Sequence, residues 1–106
     1  MANVQCERGY TRIATELLKA IYYKVTNPTH LRIILFVIRF TYGYNRKDFQ
    51  TNVSSLATTL RLSADYCREQ LVDLSDKCLV IKIKWTSLKH LTISLNKDYD
   101  SWNFDR

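Results

Sequence analysis

The chain has 106 residues, 46% of them apolar and 25% charged. That is enough for one domain with a modest core, and the balance excludes a disordered polar chain. A net charge of +6 and a pI near 9.4 favour a polyanionic partner, with nucleic acid the first candidate. The charge is uneven. Residues 1–53 carry eight basic against three acidic side chains, and residues 54–106 carry eight against seven. Three cysteines, Cys6, Cys67 and Cys78, form no Cys-x-x-Cys, which fits reduced thiols of a cytosolic protein. No secretory signal is visible. The longest apolar run, Ile33 to Ile38, is too short to span a bilayer.

Residues 1–9 show no periodicity and are expected to be a flexible end. From Tyr10 the pattern turns helical. Thr11 is a candidate cap, and Ile13, Ala14, Leu17, Leu18 and Ile21 make a stripe. Thr26-Asn27-Pro28-Thr29 breaks this helix and starts another, with Asn27 or Thr26 as cap and Pro28 in the first turn, where its missing N–H costs nothing. Thr29 to Tyr42 is strongly apolar. The spacing of Leu31, Leu35, Ile38 and Tyr42 predicts a buried central helix, with Arg32 and Arg39 sharing its outer face.

Gly43 suits the end of that helix, and Tyr44 to Asp48 reads as a basic connection. Phe49 to Val53 alternates weakly, as a short strand does. Ser54 to Leu60 is a short helix, Arg61-Leu62-Ser63 a tight turn, and Ala64 to Lys77 a second helix with Ser63 as its N-cap. In that helix Cys67, Leu71, Leu74 and Cys78 recur at steps of four, three and four, so one face is apolar. Val80 to Trp85 and Leu91 to Leu95 alternate with the strand period, joined by Thr86 to His90. Their apolar faces hold Val80 or Ile81, with Ile83, Leu91, Ile93 and Leu95, and Lys82 and Lys84 point the other way. Asn96 to Trp102 is a polar tail with two aromatic anchors. A helix-turn-helix followed by a basic hairpin predicts a mainly α protein with a small β-hairpin, an α+β winged helix-turn-helix. It forms a single domain over residues 1–106, with a C-terminal tail at 97–106.

The second helix of such a motif can lie in the major groove. The candidate contacts to double-stranded DNA there are Ser63, Ala64, Asp65, Tyr66, Arg68 and Glu69, with Arg61 in the turn. On the hairpin, the wing, they are Lys82, Lys84, Ser87, Lys89 and His90, and in the basic connection Arg46 and Lys47. Lysines at such places bind phosphate and set register without reading sequence. Two simpler readings stand beside these. Lys82 and Lys84 also suit a solvated hairpin face, and Tyr66 also suits the edge of the core. His30 and His90 have no partner at ligand spacing, so neither a metal nor a cofactor is expected. No nucleophile set or glycine-rich phosphate loop is suggested by spacing, and the expectation is a protein without enzymatic activity.

With these residues laid out, the chain resembles the N-terminal domain of the bacteriophage replication protein O family, the lambdoid replication initiators. Gly9-Tyr10-Thr11-Arg12-Ile13-Ala14 and Glu16-Leu17-Leu18 are similar to its opening helix. Leu31 to Ile38-Arg39, then Thr41-Tyr42-Gly43-Tyr44-Asn45-Arg46-Lys47, are similar to its central helix and the signature that follows. Leu56-Ala57 and Leu62-Ser63 sit where its helix-turn-helix does, and Asn96-Lys97-Asp98-Tyr99 with Trp102 is similar to the end of its domain. The resemblance implies a winged helix that binds repeated sites in a phage replication origin, working in the cytoplasm of a bacterial host. The family's helicase-recruiting region has no counterpart here. A homodimer on paired half-sites and contacts with host replication proteins are further partners it leaves open.

One departure stands out. The second helix carries Asp65, Glu69, Asp73 and Asp76 against Arg68 and Lys77, a net −2. Asp65 or Glu69 can accept from a cytosine amine, but four carboxylates exceed what base reading needs. A phage winged-helix protein-interaction module, or an inhibitor of a host nucleic-acid enzyme, is the alternative. A transcriptional regulator of the same fold is a third reading.

Overall fold

The structure is a computed structural model that describes residues 11–104. Two helices come first, α1 (Thr15–Lys24) and α2 (Pro28–Thr41), followed by a 3-10 turn at Tyr42–Tyr44. Strand β1 (Asp48–Asn52) leads into α3 (Val53–Leu60), α4 (Ala64–Val72) and a π turn at Asp73–Lys77. Strands β2 (Ile81–Trp85) and β3 (His90–Leu95) and a final 3-10 turn at Tyr99–Ser101 complete the chain. All strand pairs are antiparallel, in the order β1-β3-β2. This α+β order is that expected of a winged helix-turn-helix, with β1 added to the hairpin.

Local chemistry explains most boundaries. Asn27 caps α2: its Oδ1 accepts from Thr29 N at 2.8 Å and His30 N at 3.3 Å, with Pro28 in the first turn. Asn52 caps α3 by accepting from Ser55 N at 2.8 Å, and Ser63 caps α4 by accepting from Tyr66 N at 3.2 Å. Helix α1 differs from expectation. It begins at Thr15, after Ala14, with no side-chain cap, so Thr11 lies outside it. Val53 opens α3 rather than closing the strand, which leaves Asn52 both as the last ladder residue, opposite His90, and as a cap.

The core lies between the helices and one face of the sheet. Leu17, Ile33, Ile34, Val37, Leu56, Leu71, Leu74, Val80 and Ile93 are fully buried. On α2 the buried face differs from the predicted one. It runs through Ile33, Ile34, Val37, Ile38 and Thr41, while Leu35 is 49% exposed. Leu31, Leu35 and Phe36 are as apolar as Ile33, Ile34 and Val37, so apolarity alone does not pick the buried face. The predicted outer pair, Arg32 and Arg39, is exposed. Arg32 Nη2 donates to the Leu60 carbonyl at the end of α3, and Arg39 lies over the rings of Phe40 and Tyr44.

The predicted stripe Cys67, Leu71, Leu74 and Cys78 is fully buried, although α-helical geometry stops at Val72. The π turn continues the helix to Lys77 and closes with Cys78 N donating to Asp73 O at 2.9 Å. Leu79 then takes a left-handed conformation, φ 57°, and Val80 N donates to Leu74 O at 2.9 Å. The tail docks as expected. Trp102 is 5% exposed, its Nε1 donates to Asn96 O at 2.9 Å, and Tyr99 packs on its edge. The predicted flexible end, residues 1–9, lies outside the described residues.

Candidate nucleic-acid interface

The turn between α3 and α4 sets the angle of the motif. Arg61 caps α3 in a left-handed conformation, φ 59°, with its N–H on the Thr58 carbonyl at 3.2 Å and Leu62 N on Ala57 O at 2.8 Å. Leu62 packs on the core and Arg61 is exposed. Ser63 then starts α4. Its hydroxyl is engaged with the Tyr66 amide, and Asp65 sits in the first turn, where a carboxylate complements the free N–H groups. That gives Asp65 a structural reason to be acidic.

The outer face of α4 presents Ala64, Asp65, Tyr66 and Glu69 to solvent. Tyr66 leans toward α2, its hydroxyl 3.3 Å from Thr29 Oγ1. Arg68 is half-buried because its guanidinium lies over the Trp85 ring, 4.7 Å from the centroid. This contact joins the middle of α4 to the end of β2. Trp85 is 36% exposed and supports the arginine. No local sequence signal joins Arg68 to Trp85, because they belong to different elements.

The wing tip is ordered by Ser87. Its Oγ accepts from Lys89 N at 3.3 Å and His90 N at 3.1 Å, and lies 3.0 Å from His90 Nδ1. Lys89, His90 and Ser87 are all exposed, and Leu88 is 83% exposed. Lys89 O accepts from Val53 N at 2.9 Å, which fastens the wing to the start of α3. Arg61, Arg68 and Lys89 are thus attached to one framework of α3, α4 and wing.

Lys82 and Lys84 are placed differently. Their neighbours Ile81 and Ile83 face inward, so the lysines stand on the outer sheet face, level with Ser94 and Thr92. The sheet separates them from α4. Arg46 and Lys47 are exposed just before β1, at the Lys82 end of the sheet, because Asp48 and Lys82 both pair with Ser94. Arg46 and Arg39 lie over the same Tyr44 ring, at 5.7 and 4.9 Å. The predicted contacts therefore form two groups: the α4 face with the wing tip, and the outer sheet face with the basic connection.

His30, expected to be isolated, is not. It is 2% exposed, and its Nε2 lies 3.0 Å from Asp73 Oδ2. Asp73 is far along the chain, in the π turn, so spacing gives no sign of the pair. Among the described residues no helix is long and apolar enough to cross a membrane.

The family model for bacteriophage replication protein O matches residues 2–102. Neither the curated proteins nor the solved structures provide a match. The match spans the two opening helices, the α3–α4 motif, the wing and the tail; the chain belongs to the bacteriophage replication protein O family, and its role lies in phage DNA replication.

Proposed function

We propose that this domain binds double-stranded DNA sequence-specifically, and that its target is a repeated site in a phage replication origin. The observation that carries the reading is the coupling of α4 to the wing. Arg68 rests on Trp85, and Lys89 is fastened to α3, so a groove-reading helix and a phosphate-binding loop share one rigid support. Arg61 and Lys89 supply sequence-independent attraction to phosphate. Arg68 reads a base edge, and Asp65 or Glu69 selects cytosine by accepting from its amine while repelling misplaced phosphate. This domain does no chemistry of its own on the DNA.

Selection of bound duplexes from a random pool, followed by salt titration on the winner, tests the reading. Enrichment of one motif, and affinity that falls with salt, are expected. No affinity for any duplex at about 50 mM salt sinks it.

A second reading rests on the exposed carboxylates of α4 and the turn after it, Asp65, Glu69 and Asp76. They suit a basic protein surface. A protein retained from nuclease-treated host lysate by the wild type and lost on charge reversal at Glu69 and Asp76 supports that reading, and failure to retain any counts against it.

A further inference from the structure

Three metal-ligating side chains from two distant parts of the chain converge. His30 comes from the first turn of α2, Asp73 from the start of the π turn and Cys78 from just beyond it. Their donor atoms all lie within 4.8 Å of one another. His30 and Cys78 are buried, and Asp73 stands at the rim with 18% of its side chain exposed.

The π turn is what makes the set. In a regular α-helix, residues five apart point about 140° from each other. Here Cys78 N bonds to Asp73 O, so the turn is widened by one residue and the two side chains come round to the same side. Two further features point to a ligand. A cleft of about 340 Å³ opens beside the cluster, lined by Thr26, Asn27, Gln70 and Phe104 as well as His30 and Asp73. The buried Gln70 Oε1 on its wall has no hydrogen-bond partner among the described residues.

We propose that His30, Asp73 and Cys78 form a binding site for a divalent transition-metal ion of the zinc class. Imidazole, thiolate and carboxylate together suit zinc and disfavour magnesium or calcium, which want oxygen donors. Donors around a tetrahedral zinc stand about 3.3–3.6 Å apart. His30 Nε2 and Asp73 Oδ2 already stand 3.0 Å apart and no two donors are more than 4.8 Å apart, so small side-chain rotations would bring the set to that spacing. Three protein ligands leave a fourth position, which faces the cleft and Gln70. Binding releases the Cys78 proton, so affinity rises with pH. The ion would clip the end of the α4 segment to the start of α2, independently of any DNA.

Cobalt(II) titration of the metal-free protein, without DNA, tests the site. Wild-type protein is expected to give a one-to-one thiolate–cobalt absorption with tetrahedral d–d bands. Zinc should displace the cobalt and magnesium should not. At a hundredfold excess over its Kd, zinc should raise Tm on the order of 10 °C. Asp73→Asn and Cys78→Ser should each weaken zinc binding at least about 100-fold. Cys6→Ser and Cys67→Ala should leave it intact. Should the Cys78 variant fail to fold, hydrogen exchange on the wild type decides: zinc should slow exchange at 29–33 and 73–79. No cobalt band with no zinc-dependent Tm rise overturns the proposal. A band that survives Cys78→Ser, one that vanishes with Cys6→Ser, or zinc protection confined to other segments does the same.

Discussion

Arg68 is held by Trp85 before any partner arrives, which spares part of the side-chain ordering cost of binding, roughly 0.5–1.5 kcal/mol for a long side chain. Arg68→Ala should therefore weaken the preferred duplex by about 1–3 kcal/mol and relax selection at one base position. Binding of a random duplex and the winning duplex by the variant, compared side by side, checks this. Lys89→Ala should weaken all duplexes alike and lower the salt slope by about one. Lys82→Ala and Lys84→Ala should change little by comparison, because the sheet stands between them and α4. If the Lys84 variant loses as much as the Lys89 variant, the DNA runs over the outer sheet face instead. Arg61 separates charge from fold. Its backbone is left-handed, a conformation glycine adopts without strain. Arg61→Gly should leave stability within about 1 kcal/mol of wild type while weakening DNA binding, as denaturant melts and binding on the same samples would reveal. Tyr42 adds a pH signature. Burial, and then Tyr99 beside it, push its hydroxyl up from 10.0 to about 12. The neutral form is thus favoured in the folded state. Stability from this group is complete below pH 10 and is lost as pH rises toward 12. Denaturant midpoints from pH 9 to 12 should fall less steeply in Tyr42→Phe than in wild type.

At the scale of elements, the caps and the stripe carry the stability of the motif. Ser63→Ala removes the acceptor for Tyr66 N and should cost about 1 kcal/mol. Leu71→Ala leaves a cavity at the centre of the core and should cost about 2–5 kcal/mol. Urea melts rank the two, and an equal cost would mean that α4 is not anchored through its stripe. These features were legible in the sequence because they are local. A serine before a periodic run announces a cap, and alternation announces the hairpin and the lysine side of it. What was not legible depends on absent contrast or on distance. The buried face of α2 was misread because Leu31 and Leu35 look no less apolar than Ile33 and Val37. The start of α1 was misread because Thr11 could cap and does not. The π turn is invisible to a pattern built on 3.6 residues, on which Asp73 and Cys78 point apart.

For the molecule as a whole, most of the net charge belongs to residues 1–53, which precede the helix-turn-helix in the chain. Part of it is gathered at Tyr44, where Arg39 and Arg46 meet the same ring. This second basic group gives long-range attraction without a place in the α4 groove. Association rates should accordingly fall when Arg46 and Lys47 are both replaced by alanine, with dissociation from the preferred duplex little changed. Stopped-flow mixing at two ionic strengths resolves the two rates, and a change confined to dissociation would place these residues in the bound interface. The candidate site was only partly legible for the same reason as the fold. Each exposed residue of α4 and the wing could be named from its element. Their division by the sheet, and the joining of Arg68 to Trp85, arise only when the elements pack.

That last contact has a practical consequence. The chain has two tryptophans, Trp85 and Trp102. One is half in solvent beneath a guanidinium, and the other is enclosed in the tail packing. A base edge bound by Arg68 where it rests changes the surroundings of the first indole and leaves the second untouched. The protein thus carries two optical reporters that answer different questions: Trp102 emission follows unfolding, and Trp85 emission follows occupancy of the α4 face, with no dye attached.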